Sequence, residues 1–356
     1  MSYQLHLEPT GQTVEVDDDQ TILDACLRAG VWLPHACCHG LCATCKVRVL
    51  DGEVEHGDAS PFALMDFERE EGRTLACCAR LQSDVVIEAD LDEEPDALNL
   101  PVQDYRATVT RLERLTPTIR AVHLRLDRPM AFQAGQYVNL EIPSVEGRRA
   151  FSIASPPAQG QDLELHVRIV QGGAATTCIH ERLQVGDTLA LAGPYGRFFV
   201  RKSVHARDGR PLLFMAGGSG LSSPRSMILD LLQHEGRDWP ITLVYGQRHR
   251  AELYEHEAFL ALAERFPNFT YVSALSHEPE GSDWTGPRGW LHEVAARHFK
   301  GDFSGRKAYL CGPPAMIDAC LDTLMQGRLF ERDIHTEKFL SAADAQRVRS
   351  PLFRSV

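Results

Sequence analysis

The sequence predicts a multidomain chain of α+β and α/β type: a small β-rich domain, then an antiparallel β-barrel, then a doubly wound parallel α/β domain. Three observations predict it. Strand-like alternation with one short helix fills the first ninety residues. Closely spaced strands separated by Gly and Pro turns follow. Beyond about residue 210, apolar strands alternate with helical stretches. At 356 residues the chain has room for two or three cores. The composition shifts place the domains at 1–98, 104–204 and 210–356.

In the first domain, Tyr3–Glu8 alternates, Thr10-Gly11 turns, and Thr13–Val16 alternates again, a hairpin signal. Thr21–Ala29 reads as a short helix capped by Thr21 and stopped at Gly30. Lys46–Leu50 and Asp84–Ala89 are strand-like, and the acidic stretch Glu88–Asp96 through Pro101 marks a boundary.

Between helix and strand lies the most informative pattern in the chain. Cys37, Cys42 and Cys45 read Cys-x4-Cys-x2-Cys, and Cys77 follows after a long gap. This is the plant-type spacing that holds a [2Fe–2S] cluster with four thiolates. Gly40, Ala43 and Thr44 are small enough for a tightly turned loop whose amides face the sulfides. Cys38 would give x3 spacing to Cys42, and Cys77 ends the run Leu75-Ala76-Cys77, so Cys38 and Cys78 are read as bystanders. A zinc ribbon needs two Cys-x2-Cys pairs, and only Cys42/Cys45 has that spacing. A Rieske centre needs two histidine ligands, and no Cys-x2-His partner exists.

Charge is distributed unevenly. Residues 1–98 hold 21 Asp/Glu against 6 Lys/Arg, a net of −15, whereas the remainder holds 28 against 31, a net of +3. The acidic domain is a solvated face or a docking face for a basic partner, and its sign disfavours nucleic acid. No apolar run approaches membrane-spanning length. No basic region followed by an apolar stretch opens the chain, so a signal peptide is not expected, and the ten cysteines fit a reducing cytoplasm better than a disulfide scaffold.

Within the second domain Arg120–Leu126, Tyr137–Ile142, Leu163–Ile169 and Thr188–Leu191 fit short strands, with a second boundary near Val204–Pro211. In the third, Leu212–Ala216, Ile241–Tyr245, Thr270–Ser273 and Ala308–Cys311 read as strands. Met227–Leu232, Ala258–Glu264, Trp290–His298 and Met316–Met325 read as helical. His292-Glu293 begins like a zincin helix, but position 296 is Ala and His298 falls on the wrong face, so no metal is expected there.

Arg149-Ala150-Phe151-Ser152 follows the strand Gly135–Leu140, and here the sequence resembles the ferredoxin–NADP reductase superfamily, whose flavin motif is Arg-x-Tyr-Ser/Thr. The resemblance implies a β-grasp ferredoxin domain, a flavin-binding barrel and a nicotinamide-binding α/β domain. By it, Arg149 would pair with the pyrophosphate of FAD, Phe151 would stack on the isoalloxazine, and Ser152 would hydrogen-bond near flavin N5. Phe151 replaces the usual Tyr and loses its hydroxyl. Gly172-Gly173-Ala174-Ala175-Thr176 matches the second flavin element, with Gly173, Ala175 and Thr176 toward the pyrophosphate. Gly217-Gly218-Ser219-Gly220-Leu221 resembles the family's nicotinamide loop, through Gly218, Ser219 and Gly220. Cys311-Gly312-Pro313-Pro314-Ala315-Met316 matches its Cys-Gly-Pro-x-x-Met, implying nucleotide contacts from Gly312, Pro313 and Met316. Ser152 and Cys311 would then be the catalytic positions, where the nicotinamide ring meets the flavin.

The order ferredoxin, flavin, nicotinamide resembles the reductase components of bacterial multicomponent oxygenases. Residues 59–66 and 327–334 are most similar to those of phenol hydroxylase reductases. The resemblance implies a monomeric, NADH-dependent oxidoreductase passing electrons through FAD and the cluster to a di-iron oxygenase docked on the acidic domain. Flavin is the natural intermediary because a nicotinamide gives two electrons and the cluster takes one. NADH is preferred because the carboxylates of segment 274–280 would repel a 2′-phosphate, although Arg248 and Arg250 pull the other way. Competing readings are the reductase of a toluene-, alkene- or methane-type di-iron monooxygenase or of a Rieske dioxygenase, and a non-enzymatic ferredoxin-type carrier or redox sensor. Cys38 stands where the family's loop carries Gly.

Overall fold

A computed structural model describes residues 2–91, 94–235 and 237–339. Asp92 and Glu93 of the acidic boundary stretch, and residues 340–356 of the expected third domain, lie outside the described residues. The chain divides into two compact units, one through Gln103 and one over residues 104–340.

The first unit runs β1 (Ser2–Glu8), β2 (Gln12–Asp17), α1 (Ile22–Arg28), β3 (Lys46–Asp51) and β4 (Val54–Glu55). It continues through α2 (Asp66–Glu70), β5 (Arg73–Leu75), β6 (Arg80–Leu81) and β7 (Val85–Glu88). Five strands form a sheet in the order β2-β1-β7-β3-β5, with β1 and β7 parallel. The hairpin pairs Leu5 with Val14. Alternation turns Leu5, Leu7, Val14 and Val16 into the core and their neighbours to water. Helix α1 starts where the sequence indicates: the Asp24 amide donates to Thr21 Oγ1 at 3.2 Å, and Ile22, Leu23, Ala25, Cys26 and Leu27 are buried. The result is the β-grasp arrangement of one helix over a mixed sheet.

The second unit opens with β8 (Gln103–Arg114), β9 (Ile119–Leu126), β10 (Tyr137–Glu141), β11 (Arg148–Ser152), β12 (Asp162–Arg168), α3 (Ala174–Glu181) and β13 (Thr188–Tyr195). These strands form an antiparallel sheet ordered β11-β10-β13-β8-β9-β12, nearly closed into a barrel by the bridge between Ile153 and Leu165. Helix α3, which periodicity alone does not reveal after the Gly-Gly turn, plugs the barrel with Ala175, Cys178 and Ile179.

After α4 (Lys202–Asp208) come β14 (Leu212–Gly217), α5 (Ser222–Leu229), β15 (Ile241–Gln247), α6 (His256–Arg265), β16 (Phe269–Leu275), α7 (Leu291–His298), β17 (Lys307–Gly312), α8 (Pro314–Gln326) and β18 (Ile334–Lys338). All five strands are parallel, in the order β16-β15-β14-β17-β18. The unbroken apolar run of β14 follows from burial on both faces. Leu212, Phe214 and Ala216 enter one core, while Leu213 and Met215 enter the other.

Two sequence expectations shift. The presumed boundary at Val204–Pro211 overlaps α4, whose His205 is buried against Trp239 and Tyr309. The helix expected from Met227 begins five residues earlier at Ser222, with Pro224 within its first turn, where a missing amide costs nothing. Glu293, in the segment where the zincin pattern fails, accepts the Trp290 amide at 3.0 Å at the start of α7. Among the described residues no helix is long and apolar enough to cross a membrane.

Candidate functional site

In the first unit the cysteine loop lies between α1 and β3. Its backbone is turned by positive φ at Cys38 (55°), Gly40 (69°) and Ala43 (59°). Those turns aim amides at sulfur. His39 N and Leu41 N each donate to Cys37 Sγ at 3.4 Å, and Cys37 N donates to Cys42 Sγ at 3.5 Å. The four expected ligands fall into two mutually interacting sulfur pairs, Cys37 with Cys42 and Cys45 with Cys77. The interaction with Cys37 holds the Cys42 thiol well below the usual thiol range. Two sulfur pairs, with amides directed at them, fit a two-iron cluster with two thiolates per iron. A Cβ on Gly40 would come within 2.8 Å of Cys78 Sγ and 3.0 Å of Asp58 O, so glycine is required by close approach as well as by φ.

In the second unit, the strand order reverses at β14, and the crevice at the carboxyl ends of β14 and β17 is where such sheets bind ligands. Gly217 through Leu221 leaves β14, and Cys311-Gly312-Pro313 leaves β17. The two loops interlock. A Cβ on Gly220 would meet Cys311 O at 2.4 Å, and one on Gly217 would meet Met316 Sδ at 2.2 Å. Gly218 has φ +61° and faces Arg168 of the barrel, while Ser219 is buried. Pro313 precedes α8, leaving that helix's first amides toward the crevice.

At the barrel, β11 presents the flavin motif in an extended strand. Arg148 is bound to Glu141 (2.8 Å) and Asp104 (3.2 Å), whereas Arg149 is exposed and, among the described residues, donates to the carbonyls of Glu146 and Arg148, at 3.1 and 3.0 Å. Arg149 thus carries the charge left for an anionic ligand. Phe151 is half-buried and packs on the barrel core. Gly173 precedes α3. Thr176 Oγ1 accepts the Val170 amide at 3.0 Å and donates to Gly173 O at 3.2 Å, so this hydroxyl shapes the loop. Ala175 is buried beneath the loop.

Three side chains converge on one carboxylate oxygen. Ser223 Oγ donates to Glu337 Oε2 at 2.8 Å, Ser152 Oγ at 3.4 Å and the Cys311 thiol at 3.5 Å. Ser152 comes from the barrel, Ser223 from α5, Cys311 from β17 and Glu337 from β18, so the site is assembled from four distant segments. Burial pushes Glu337 up to about 7, against the three hydrogen bonds that favour its anion. Burial also raises the fully buried Cys311 thiol well above its usual range, so it is neutral. Sequence reasoning brought Ser152 and Cys311 to this place but missed Ser223 and Glu337. Glu337 lies in a strand whose short alternation, Ile334-His335-Thr336-Glu337-Lys338, is its only signal.

Next to this cluster, Glu164 and Glu255 flank Arg225 at 3.2 and 3.3 Å, and Glu164 also accepts from His166 at 2.9 Å. Burial would raise Glu164, but His166 and Arg225 outweigh it and hold the carboxyl at about 2. Glu164, His166 and Glu255 lie close enough together to ligate a metal, but the Arg225 guanidinium already supplies the cation. This ion network ties barrel strand β12 to α5 and to the residue before α6.

Residues 5–82 match the 2Fe-2S iron-sulfur cluster binding domain, 106–200 the oxidoreductase FAD-binding domain, and 214–322 the oxidoreductase NAD-binding domain. The chain is 59% identical to the reductase component of phenol 2-monooxygenase from Pseudomonas sp. strain CF600, over 100% of both chains. It is 58% identical to the phenol hydroxylase P5 protein of Acinetobacter pittii, again over 100% of both. Among solved structures it is similar to an Amycolatopsis cytochrome P450 reductase, with TM-score 0.84 and 35% identity over 95% of this chain and 98% of that one. The chain therefore belongs to the family of NADH-dependent iron–sulfur flavoprotein reductases that join a [2Fe–2S] ferredoxin domain to FAD-binding and NAD-binding oxidoreductase domains.

Proposed function

We propose that this protein is the reductase component of a multicomponent phenol hydroxylase, carrying electrons from NADH through FAD and the [2Fe–2S] cluster to a di-iron oxygenase that hydroxylates the ring. The observation that carries the redox step is the shared carboxylate: Ser152 of the flavin motif and Cys311 of the nicotinamide motif both donate to Glu337 Oε2. The phenol assignment rests on end-to-end identity of 59% and 58% with two phenol hydroxylase reductase proteins. Its domains are taken as 1–98, 104–204 and 210–356. It acts as a monomer in the cytoplasm and meets the oxygenase on residues 1–98.

FAD, when bound, supplies the exchange of a two-electron hydride for single electrons. The chain's own residues orient and insulate. Arg149 and the amides beyond Gly173 would hold the pyrophosphate, with Ala175 and Thr176 fixing that turn. Phe151 offers an aromatic surface for the flavin ring. Gly218, Ser219, Gly220, Gly312, Pro313 and Met316 shape the nucleotide crevice. Ser152 and the neutral Cys311, whose hydrogens go to Glu337, would present oxygen and sulfur lone pairs where the two rings meet, and Glu337 sets their orientation. Bound FAD and nicotinamide would supply the hydride chemistry, so no side chain would have to remove a proton from carbon. Cys37, Cys42, Cys45 and Cys77 would hold the cluster. A purified phenol hydroxylase oxygenase should turn over phenol with this protein and NADH. Activity restored only to an alkene, toluene or Rieske oxygenase would reject the phenol assignment, and no NADH-dependent reduction of ferricyanide would favour a simple carrier.

A further inference from the structure

Two cysteines are left over by the cluster motif, and their sulfurs lie in different places. Cys38 is exposed, and its thiol turns back on its own loop, 3.9 Å from Ala36 O. Cys78 Sγ lies 3.6 Å from Cys77 Sγ and rests on the backbone of Gly40. Gly40 sits between His39 and Leu41, the residues whose amides point at Cys37 Sγ. The Cys78 sulfur is therefore on the side of its segment that faces the cysteine loop.

The local backbone explains why consecutive cysteines share a side. Cys78 N and Ala79 N both donate to Leu75 O, at 3.0 and 2.9 Å, coiling this segment into a single helical turn. Neighbours on such a turn diverge by about 100°, whereas in a strand they point to opposite faces. Two thiolates on one tetrahedral metal, each at about 2.3 Å, sit roughly 3.7 Å apart. Cys78 Sγ is thus about one ligand spacing from Cys77 Sγ, within reach of a side-chain rotation.

We propose that Cys78 is a reserve ligand for the iron that Cys45 and Cys77 hold. The proposal rests on the reading of Cys37, Cys42, Cys45 and Cys77 as the resident ligands. In the exchange, the iron–sulfur bond to Cys77 breaks and one to Cys78 forms. Cys78 enters as thiolate and gives its proton to solvent, Cys77 takes one up, and no electron moves. Cys42 and Cys45 have no cysteine next to them in sequence, and the Cys38 thiol is turned to Ala36 O of its own loop.

The test is the cofactor content and electron paramagnetic resonance spectrum of full-length variants purified without oxygen. Alanine is used because a serine oxygen can itself bind iron. Cys77→Ala should retain at least about half of the wild-type iron and labile sulfide, with a shifted spectrum, while Cys77→Ala/Cys78→Ala should fall below about a tenth. Cys78→Ala alone should keep the wild-type spectrum, and Cys45→Ala/Cys78→Ala should lose the cluster. FAD content, measured in each, reports that the second unit has folded. Cys77→Ala losing as much iron as the double variant overturns the proposal. So does cluster loss in Cys78→Ala, which would make Cys78 the resident ligand. A cluster that survives Cys45→Ala/Cys78→Ala instead breaks the underlying ligand assignment.

Discussion

Ser223 donates a 2.8 Å hydrogen bond to Glu337, joining the first turn of α5 to the far edge strand of the sheet at a point that Ser152 and Cys311 also reach. Burial places the pKa of this carboxyl at about 7, so it changes charge in the working range. A nicotinamide acquires positive charge as it gives up hydride, and an adjacent carboxylate stabilises that charge. Flavin reduction by NADH should therefore accelerate as pH rises through about 7. Glu337→Gln should flatten the profile and slow the step at alkaline pH by roughly tenfold. Anaerobic stopped-flow absorbance of the flavin measures both; an unchanged pH profile in the variant removes Glu337 from the step. The linkage sign is opposite for stability. The folded pKa is raised from 4.5, so the protein loses stability as pH rises from there to about 7, and the substitution should abolish that decline.

Arg250 is, with Arg248, one of two arginines placed to attract a 2′-phosphate after β15. Its Nη1 lies 2.8 and 2.9 Å from the two oxygens of Asp283, and its amide donates to Glu278 at 2.8 Å. Both acids lie in the segment after β16, at the ligand-binding end of the sheet. Asp283→Asn should raise kcat/KM for NADPH a few-fold and leave the value for NADH nearly unchanged, since an exposed pair contributes little. Steady-state kinetics with both dinucleotides decide it; no gain for NADPH would mean that the pair does not select.

Much of the fold was legible because each domain has its own period. Alternation marked β1 and β2, Thr21 marked the start of α1, and the two-sided burial of β14 explains its uninterrupted apolar run. What was hidden depended on tertiary context. Helix α3 follows a Gly-Gly turn and is anchored by Ala175, Cys178 and Ile179 inside the barrel, and eight residues are too few to display a period. Glu337 and Ser223 look like ordinary surface polar residues until four segments meet. Spacing alone marks the cysteine motif but not how its sulfurs pair, and the turn at Leu75–Ala79 is what sets Cys78 beside Cys77.

Cys38 occupies a left-handed conformation, φ 55°, that disfavours any side chain. Cys38→Gly should stabilise the ferredoxin domain by roughly 0.5–1 kcal/mol, the relief of strain less the added freedom of the unfolded chain. Thermal unfolding followed by the cluster's visible absorbance should shift upward with iron content unchanged; a downward shift would show that the Cys38 side chain contributes contacts that outweigh the strain.

The acidic surface of residues 1–98, with 21 Asp/Glu against 6 Lys/Arg, should draw a basic patch on the oxygenase. Oxygenase turnover should weaken as sodium chloride is raised, while NADH–ferricyanide turnover changes far less. Equal salt responses in the two assays would argue against electrostatic docking on this domain.

The cluster is the exit for electrons that enter as hydride. The direct measurement compares wild type with Cys45→Ala/Cys78→Ala in two assays on the same preparation, NADH-dependent ferricyanide reduction and phenol hydroxylation with the purified oxygenase. The variant, which lacks both a resident ligand and its reserve, should bind FAD and reduce ferricyanide but support no hydroxylation. Hydroxylation at the wild-type rate by a variant shown to contain no iron would contradict the account.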